Sequence, residues 1–456
     1  MDTHLPNSTV AQDVHFHIHS QTNPSAFEKD GPIIIADGEG ARIRDAAGNT
    51  YLDAMAGLWC ASLGFANARL TEAAYRQGKK LGFYHTFYGR TTAEAATLAE
   101  KLVDLTGMAG GRAYFVTSGS EANETMVKLA WLYHGVRGKP TKRKVIARNG
   151  AFHGSTIAAG SMCGLSFMHR EFGLPIPGFL HTLAPHPYRV QRPDEDDAAF
   201  VQRLCDTLEA EILAEGPETI AAFIAEPVMA GGGIVVPPAD YFPRLKAVLD
   251  KYDILMLDDE IVCGFARTGN WFGRETVNMQ PHMMSLAKGL SSGHFPIAAV
   301  VVAPEIYDAL VSFNKNGGVF GHGFTNSGHP VGVAVALEAI AIYEEMGIVD
   351  HVRRMGARLR GHLDPLAASP IVGNIRGAGL MLGVEIVENK SSRAPFPPAR
   401  QMGPSFDRIA LRNGLVVRCM GDTLGMSPPL IVREAEVDEI AEKFARSLAE
   451  LERQAG

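Results

Sequence analysis

Residues 255–293 read LMLDDEIVCGFARTGNWFGRETVNMQPHMMSLAKGLSSG, and two short apolar runs in and beside them decide how the chain is read. Ile254-Leu255-Met256-Leu257 is too short for a helix and predicts a buried strand, which ends in three carboxylates, Asp258, Asp259 and Glu260. The second run, Met283-Met284-Ser285-Leu286-Ala287, predicts another strand. It delivers Lys288 into the glycine-flanked turn Lys288-Gly289-Leu290-Ser291-Ser292-Gly293. Ligands of open α/β sheets sit outside the carboxyl ends of the strands. An acid and a lone lysine are therefore expected at one edge of one sheet.

Taken singly, each has a plain explanation. Lys288 reads as a solvated loop lysine, and the acid triplet as a helix N-terminus, where carboxylates meet the positive end of the dipole. Their combination points elsewhere. Lys288 lies among Ala, Gly and Leu, where desolvation lowers an amine's pKa and favours the nucleophilic form. A Schiff-base lysine needs that, and pyridoxal phosphate (PLP) needs a carboxylate opposite its ring nitrogen.

The segments DDEIVCGFARTG and SLAKGLSSG closely resemble the signature of class III aminotransferases. This PLP-dependent group includes the ω-amino acid and amine:pyruvate aminotransferases. The similarity runs from about His15 to the C-terminus. It implies an α/β, fold type I PLP-dependent transferase, with a large domain on a mostly parallel sheet and a smaller, discontinuous α+β domain. The expected division is 1–60 (arm and first part of the small domain), 61–325 (PLP-binding domain) and 326–456 (the rest of the small domain). Alternating strands and helices between about 61 and 325 independently argue for a parallel sheet.

Composition sets outer bounds. A chain of 456 residues can bury a large core and form two domains. A net charge of −7 and a pI near 6.2 argue against nucleic acid or an anionic membrane as the main partner. No apolar run reaches membrane-spanning length; Pro296 to Pro304 suits a buried strand. The N-terminus shows no signal pattern. The cysteines, at 60, 163, 205, 263 and 419, are odd in number and without C-x-x-C, which reads as reduced thiols in a cytoplasmic protein.

Along the chain, the first fourteen residues are polar and expected to order only by docking. His15, His17 and His19 alternate with Phe16 and Ile18, which predicts a strand or extended arm with histidines on one face. A metal site needs further ligands, and none is visible in the sequence, so no metal is expected. Residues 32–53 read as a small meander split by Asp37-Gly38 and Ala47-Gly48-Asn49. Helical periodicity covers 69–81 and 92–105, around the aromatic cluster Phe83-Tyr84-His85-Thr86-Phe87-Tyr88. Val116-Thr117-Ser118-Gly119-Ser120-Glu121-Ala122-Asn123 reads as a strand end passing into a helix, whose free N–H groups and hydroxyls make an anion site or, more plainly, a well-capped start, with no separate role read for Asn123. Residues 192–216 read as a charged amphipathic helix, expected to be solvated.

The resemblance assigns the remaining roles. It implies that Ser118, Gly119 and Ser120 hold the cofactor's phosphate, with Thr325 reaching across a dimer to the partner's phosphate. Phe152 of Phe152-His153-Gly154 would stack on the pyridine ring, where the amine:pyruvate branch usually has tyrosine. Ile261 would cover the other face, with His153 nearby and Glu226 on the cofactor's hydroxyl side. Trp59 would look over the cofactor and Phe87 would line the partner's site. Lys288 would bind PLP and, once displaced by an amine, move the substrate proton, while Asp259 keeps the ring nitrogen protonated. Arg418, presented by the strand that Leu415-Val416-Val417 predicts, matches a mobile arginine that grips a keto acid's carboxylate. Gln21 stands where the branch commonly has an aromatic, which suggests an amino donor with polar groups along its chain.

The reaction so implied is ping-pong transfer of an amino group from a primary amine or ω-amino acid to a keto acid, with pyruvate expected, in a homodimer or dimer of dimers. Aminomutases, decarboxylases and racemases of the same group keep the lysine and aspartate without exchanging amino groups. The fold also serves as a sensing module in transcription regulators, but residues 1–30 lack the length and charge of a DNA-binding region.

Overall fold

A computed structural model describes residues 8–315 and 318–455. Three N-terminal strands, β1 (Ile35–Glu39), β2 (Arg42–Asp45) and β3 (Thr50–Asp53), form the antiparallel meander expected there. Seven more follow: β4 (Arg112–Val116), β5 (Lys144–Arg148), β6 (Phe179–Thr182), β7 (Ile220–Ala225), β8 (Leu255–Asp259), β9 (Met283–Leu286) and β10 (Ala298–Val302). The C-terminal part adds β11 (Val372–Ala378), β12 (Met381–Ile386), β13 (Leu415–Val416), β14 (Arg418–Met420) and β15 (Thr423–Met426).

The central sheet has the order β4-β10-β9-β8-β7-β5-β6. Every pairing from β9 to β6 is parallel, and β10 alone runs against both its neighbours. β7, β8, β9 and β10 are buried at every position, which is why their sequences are mainly continuous apolar runs rather than alternating ones, interrupted by Ser285 and by Asp258 and Asp259 at the end of β8. The carboxyl ends of β5, β7, β8 and β9 consequently open on one edge. The chain belongs to the α/β class, as expected.

β13 pairs in parallel with β3, Leu415 opposite Leu52, so the N- and C-terminal parts of the chain share one small sheet. The remaining sheet runs β11-β12-β15-β14. Arg418 was expected at the end of a strand over 415–417. Instead Leu415–Val416 pairs with β3, and Arg418 opens β14 in the other sheet.

Two expectations are corrected. The helix Asp197–Glu215 is not simply solvated: Phe200, Val201, Leu204, Cys205, Leu208 and Ile212 bury one stripe of it against the sheet, together with the helix Tyr241–Lys251. Residues 9–16 are a helix, so of the stretch 15–19 expected to be extended only 17–19 leaves the helix, with extended backbone at His17. The Ser8 side chain accepts a hydrogen bond from the Ala11 N–H and starts it, and local capping outweighs the alternating histidines. A second short helix, Pro24–Asp30, is capped by Asn23, and neither buries a residue within the chain. The expectation for residues 1–7 lies outside the described residues. No helix of the described residues is long and apolar enough to cross a membrane.

Candidate active site

The alternation of a strand sorts the three carboxylates at the end of β8. Asp258 and Glu260 share one side; Asp259 takes the other. Glu260 accepts hydrogen bonds from the N–H groups of Gly273 (2.8 Å) and Arg274 (2.7 Å), and burial pushes its pKa up to about 7. Burial beside Glu260 likewise drives Asp258 well above the usual carboxylate range. Asp259 alone lines a cavity of about 390 Å³ at the sheet's carboxyl edge.

Asp259 is held from three directions. Asn123 Nδ2 donates to Oδ2 at 2.7 Å, His153 Nδ1 donates to the same oxygen at 2.8 Å, and the Ile261 N–H donates to Oδ1 at 3.1 Å. A carboxylate only accepts, so His153 carries its proton on Nδ1. The Asn123 amide also donates to the His153 carbonyl at 2.7 Å, which locks the three side chains into one unit.

Lys288 follows β9 with a positive φ of 42°, a strained geometry for a residue with a Cβ. Its side chain lines the same cavity. Desolvation lowers its pKa below the ordinary lysine value, while Cys60, Asp259 and Glu226 oppose that and nearby Arg418 adds to it. Glu226 is itself pushed up by burial and accepts from the N–H groups of Phe152 (3.1 Å) and Ala230 (2.9 Å).

The third wall is the start of the helix Gly119–Val136. Ser118 caps it, its hydroxyl accepting from the Glu121 N–H at 3.2 Å, and the first-turn N–H groups of Gly119 and Ser120 have no carbonyl within the helix to meet. The cradle is shaped by missing side chains. A Cβ on Gly119 would stand 2.6 Å from Ile261 Cδ1, and one on Gly154 would collide with Ser120 Oγ.

Of the residues singled out in the sequence, Ser118, Gly119, Ser120, Phe152, His153, Glu226, Asp259, Ile261 and Lys288 all line this cavity. Five lie outside its wall. Trp59 is buried beside the lining residue Cys60, the Phe87 ring packs on Gly323, and Thr325 is exposed. Arg418 reaches Gln21, its Nη2 donating to Oε1 at 3.4 Å. Asn123 and Cys60 were missed. Asn123 was legible in principle, since it lies one helical turn beyond Gly119 on the same face; Cys60 gave no signal beyond its place after Trp59.

A carboxylate for a protonated ring nitrogen, a desolvated lysine and an anion-binding helix start around one cavity are the donor set that PLP requires. Residues 25–448 match the family described as Aminotransferase class-III. The chain belongs to that family. The class III aminotransferase is 47% identical over 422 residues to gamma aminobutyrate transaminase 3, chloroplastic, of Solanum lycopersicum, covering 92% of this chain and 81% of the relative. It is 46% identical over 418 residues to gamma-aminobutyrate transaminase 1, mitochondrial, of Oryza sativa subsp. japonica, covering 91% and 81%. Among solved structures, the omega transaminase of Pseudomonas jessenii in complex with PMP superposes with a TM-score of 0.97 at 44% identity, covering 98% of this chain and 99% of that one. The enzyme is thus a transaminase of the PLP-dependent fold type I group, and PLP is its cofactor.

Proposed function

We infer that this aminotransferase moves an amino group from a primary amine or ω-amino acid to a keto acid, pyruvate first among the candidates, by a ping-pong sequence. The observation that carries this reading is Lys288 facing Asp259 across one cavity, with the Arg418 guanidinium close enough to influence the lysine. The gamma-aminobutyrate transaminases among its relatives support an ω-amino donor.

Bound PLP supplies the electron sink that stabilises the substrate carbanion. The protein's own part begins at Asp259, whose carboxylate, oriented by Asn123 and His153, keeps a proton on the cofactor's ring nitrogen. Lys288 would hold the cofactor, and its ε-amine, once free, would take the substrate's α-proton as a base and return it as an acid. Ser118, Gly119 and Ser120 would hold the phosphate, Phe152 and Ile261 would confine the ring, and Glu226 would serve its hydroxyl side. Arg418 binds the keto acid's carboxylate and swings away for donors that lack one. Gln21, on the arm beside Arg418, favours donors with polar groups along the chain.

Thr325, Phe87 and Trp59 take their roles in a homodimer, or a dimer of dimers, in which each chain completes its partner's site. The five cysteines, all free in the structure, support a reducing compartment such as the cytoplasm.

The test is an absorbance titration of the holoenzyme with a panel of amines, followed by pyruvate or 2-oxoglutarate. The band of lysine-bound cofactor is expected to bleach with the right donor and return with pyruvate. Arg418→Ala should raise the keto-acid KM by about 10- to 100-fold, the loss of a charged hydrogen-bonded contact, and spare donors without a carboxylate. A band that 2-oxoglutarate restores and pyruvate does not would overturn the acceptor. An unchanged donor profile in Gln21→Phe would overturn the role given to that residue.

A further inference from the structure

The sequence offered His15, His17 and His19 without a further ligand; the helix over residues 9–16 supplies one. Asp13 lies one turn before His17, so its carboxylate and the imidazole meet on one face, Oδ1 2.9 Å from Nδ1. The helix ends at Phe16, and the chain then folds back. His19 thereby reaches the other oxygen of the same carboxylate, with Nε2 2.7 Å from Oδ2. One oxygen of Asp13 and one nitrogen of each histidine lie within 4.8 Å of one another, the one such group of three among the described residues. His15 stays outside it, turned against Phe16.

The group is built rather than accidental. The His19 ring packs on Phe27 of the following helix, centroids 4.3 Å apart, and on the His17 ring at 4.5 Å. The side chains of Asp13 and His19 are 20% and 28% exposed, so two of the three ligands are largely shielded, while His17 at 64% leaves an open side for solvent ligands. Two imidazoles and one carboxylate are the donor set of borderline cations such as Zn²⁺, Co²⁺ and Ni²⁺, whereas Mg²⁺ and Ca²⁺ prefer oxygen alone. Bonds of about 2.0 Å at tetrahedral angles put ligand atoms about 3.3 Å apart. The two carboxylate–imidazole contacts, each to its own oxygen of Asp13, open by a few tenths of an ångström, and the other separations among the three ligand atoms, at most 4.8 Å, close around the ion. The protons now donated to Asp13 move to the opposite ring nitrogens, which leaves Nδ1 of His17 and Nε2 of His19 as free lone pairs.

We propose that Asp13, His17 and His19 form a binding site for one divalent transition cation of the zinc class, with water completing its coordination. The cation clamps the arm. Gln21, two residues beyond His19, is the residue that meets Arg418, so the clamp fixes the segment standing over the substrate-binding guanidinium.

The holoenzyme, stripped with a chelator and kept free of phosphate buffer, is titrated with Zn²⁺ against a chromogenic chelator. Hydrogen exchange of residues 9–23 is followed with and without the metal. One equivalent per chain is expected, weakened at least about 10-fold in His17→Ala and in His19→Ala, the scale on which even outer partners of a metal act. His15→Ala should bind as the parent does, and exchange in the arm should slow on binding only where both ligands remain. These side chains touch none of the core, so PLP content should be equal in all variants. Binding that is absent, or that is unchanged in His17→Ala and His19→Ala because cysteines or the cofactor's phosphate hold the zinc, would overturn the site. Zn²⁺ bound at one equivalent with exchange in residues 9–23 unchanged would overturn the clamp.

Discussion

At the scale of single residues, the chemistry rests on which groups are held still. Asp259 receives three hydrogen bonds, two of them on one oxygen, so its carboxylate cannot rotate away from a ring nitrogen placed before it. Asn123 is the part of this arrangement with no charge of its own, and it bridges Asp259 and the His153 carbonyl. Asn123→Ala removes a bond to a charged acceptor, worth about 1.5–3 kcal/mol, and leaves both partners buried. The expected result is a PLP dissociation constant raised by about 10- to 100-fold, read by titrating apoenzyme, with the fold's circular dichroism unchanged. Affinity equal to the parent's would show that His153 and the Ile261 N–H suffice to hold the aspartate.

At the scale of elements, the site is a meeting of two strand ends and a helix start, and glycine decides how near they come. Gly154 has a φ of 136°, and a Cβ there would collide with Ser120 Oγ and stand 2.8 Å from Ala159 Cβ. Gly154→Ala should cost about 1–3 kcal/mol of stability in denaturant unfolding and displace Ser120 from the phosphate cradle. Gly138→Ala, with a positive φ of 77° but nothing near its Cβ, separates backbone strain from the collision. If the two variants bind PLP equally well, Ser120 does not depend on Gly154. Elements of this kind were legible in the sequence because their signals are local: apolar runs for buried strands, Ser118 before a helix, Lys288 and Asp259 at strand ends. What stayed hidden depends on distant partners. The stripe Phe200–Leu204–Leu208–Ile212 sits among enough charge to pass for a solvated helix until the sheet beneath it is known. Asp13 and His19 become neighbours only because a helix stops at Phe16, and alternation in the sequence carried no sign of the helix that supplies Asp13.

At the scale of the whole molecule, the ends of the chain meet: β13 lies along β3, and Arg267, fully buried in the loop after β8, donates to the carbonyls of Leu380 (3.1 Å) and Pro428 (2.6 Å). The β3–β13 pairing supports the proposed division in which residues 1–60 join 326–456, while the Arg267 bonds tie the PLP-binding part to the C-terminal part. The same view shows what one chain leaves uncovered. Leu58, Phe83, Tyr84 and Tyr88 are exposed by 56%, 45%, 42% and 86%, and they flank Trp59 and Phe87, two residues assigned to the site but outside the cavity wall of a single chain. Exposed aromatic clusters of this kind mark association surfaces, where a central aromatic commonly contributes about 2 kcal/mol or more. The double variant Tyr84→Ser, Tyr88→Ser should therefore weaken self-association by at least about 10-fold in sedimentation equilibrium and lose PLP as it dissociates. The parent should sediment at twice the chain's 49.1 kDa or more. A parent that is fully active at the mass of one chain would remove the partner from the site, and with it the roles given to Thr325 and Phe87.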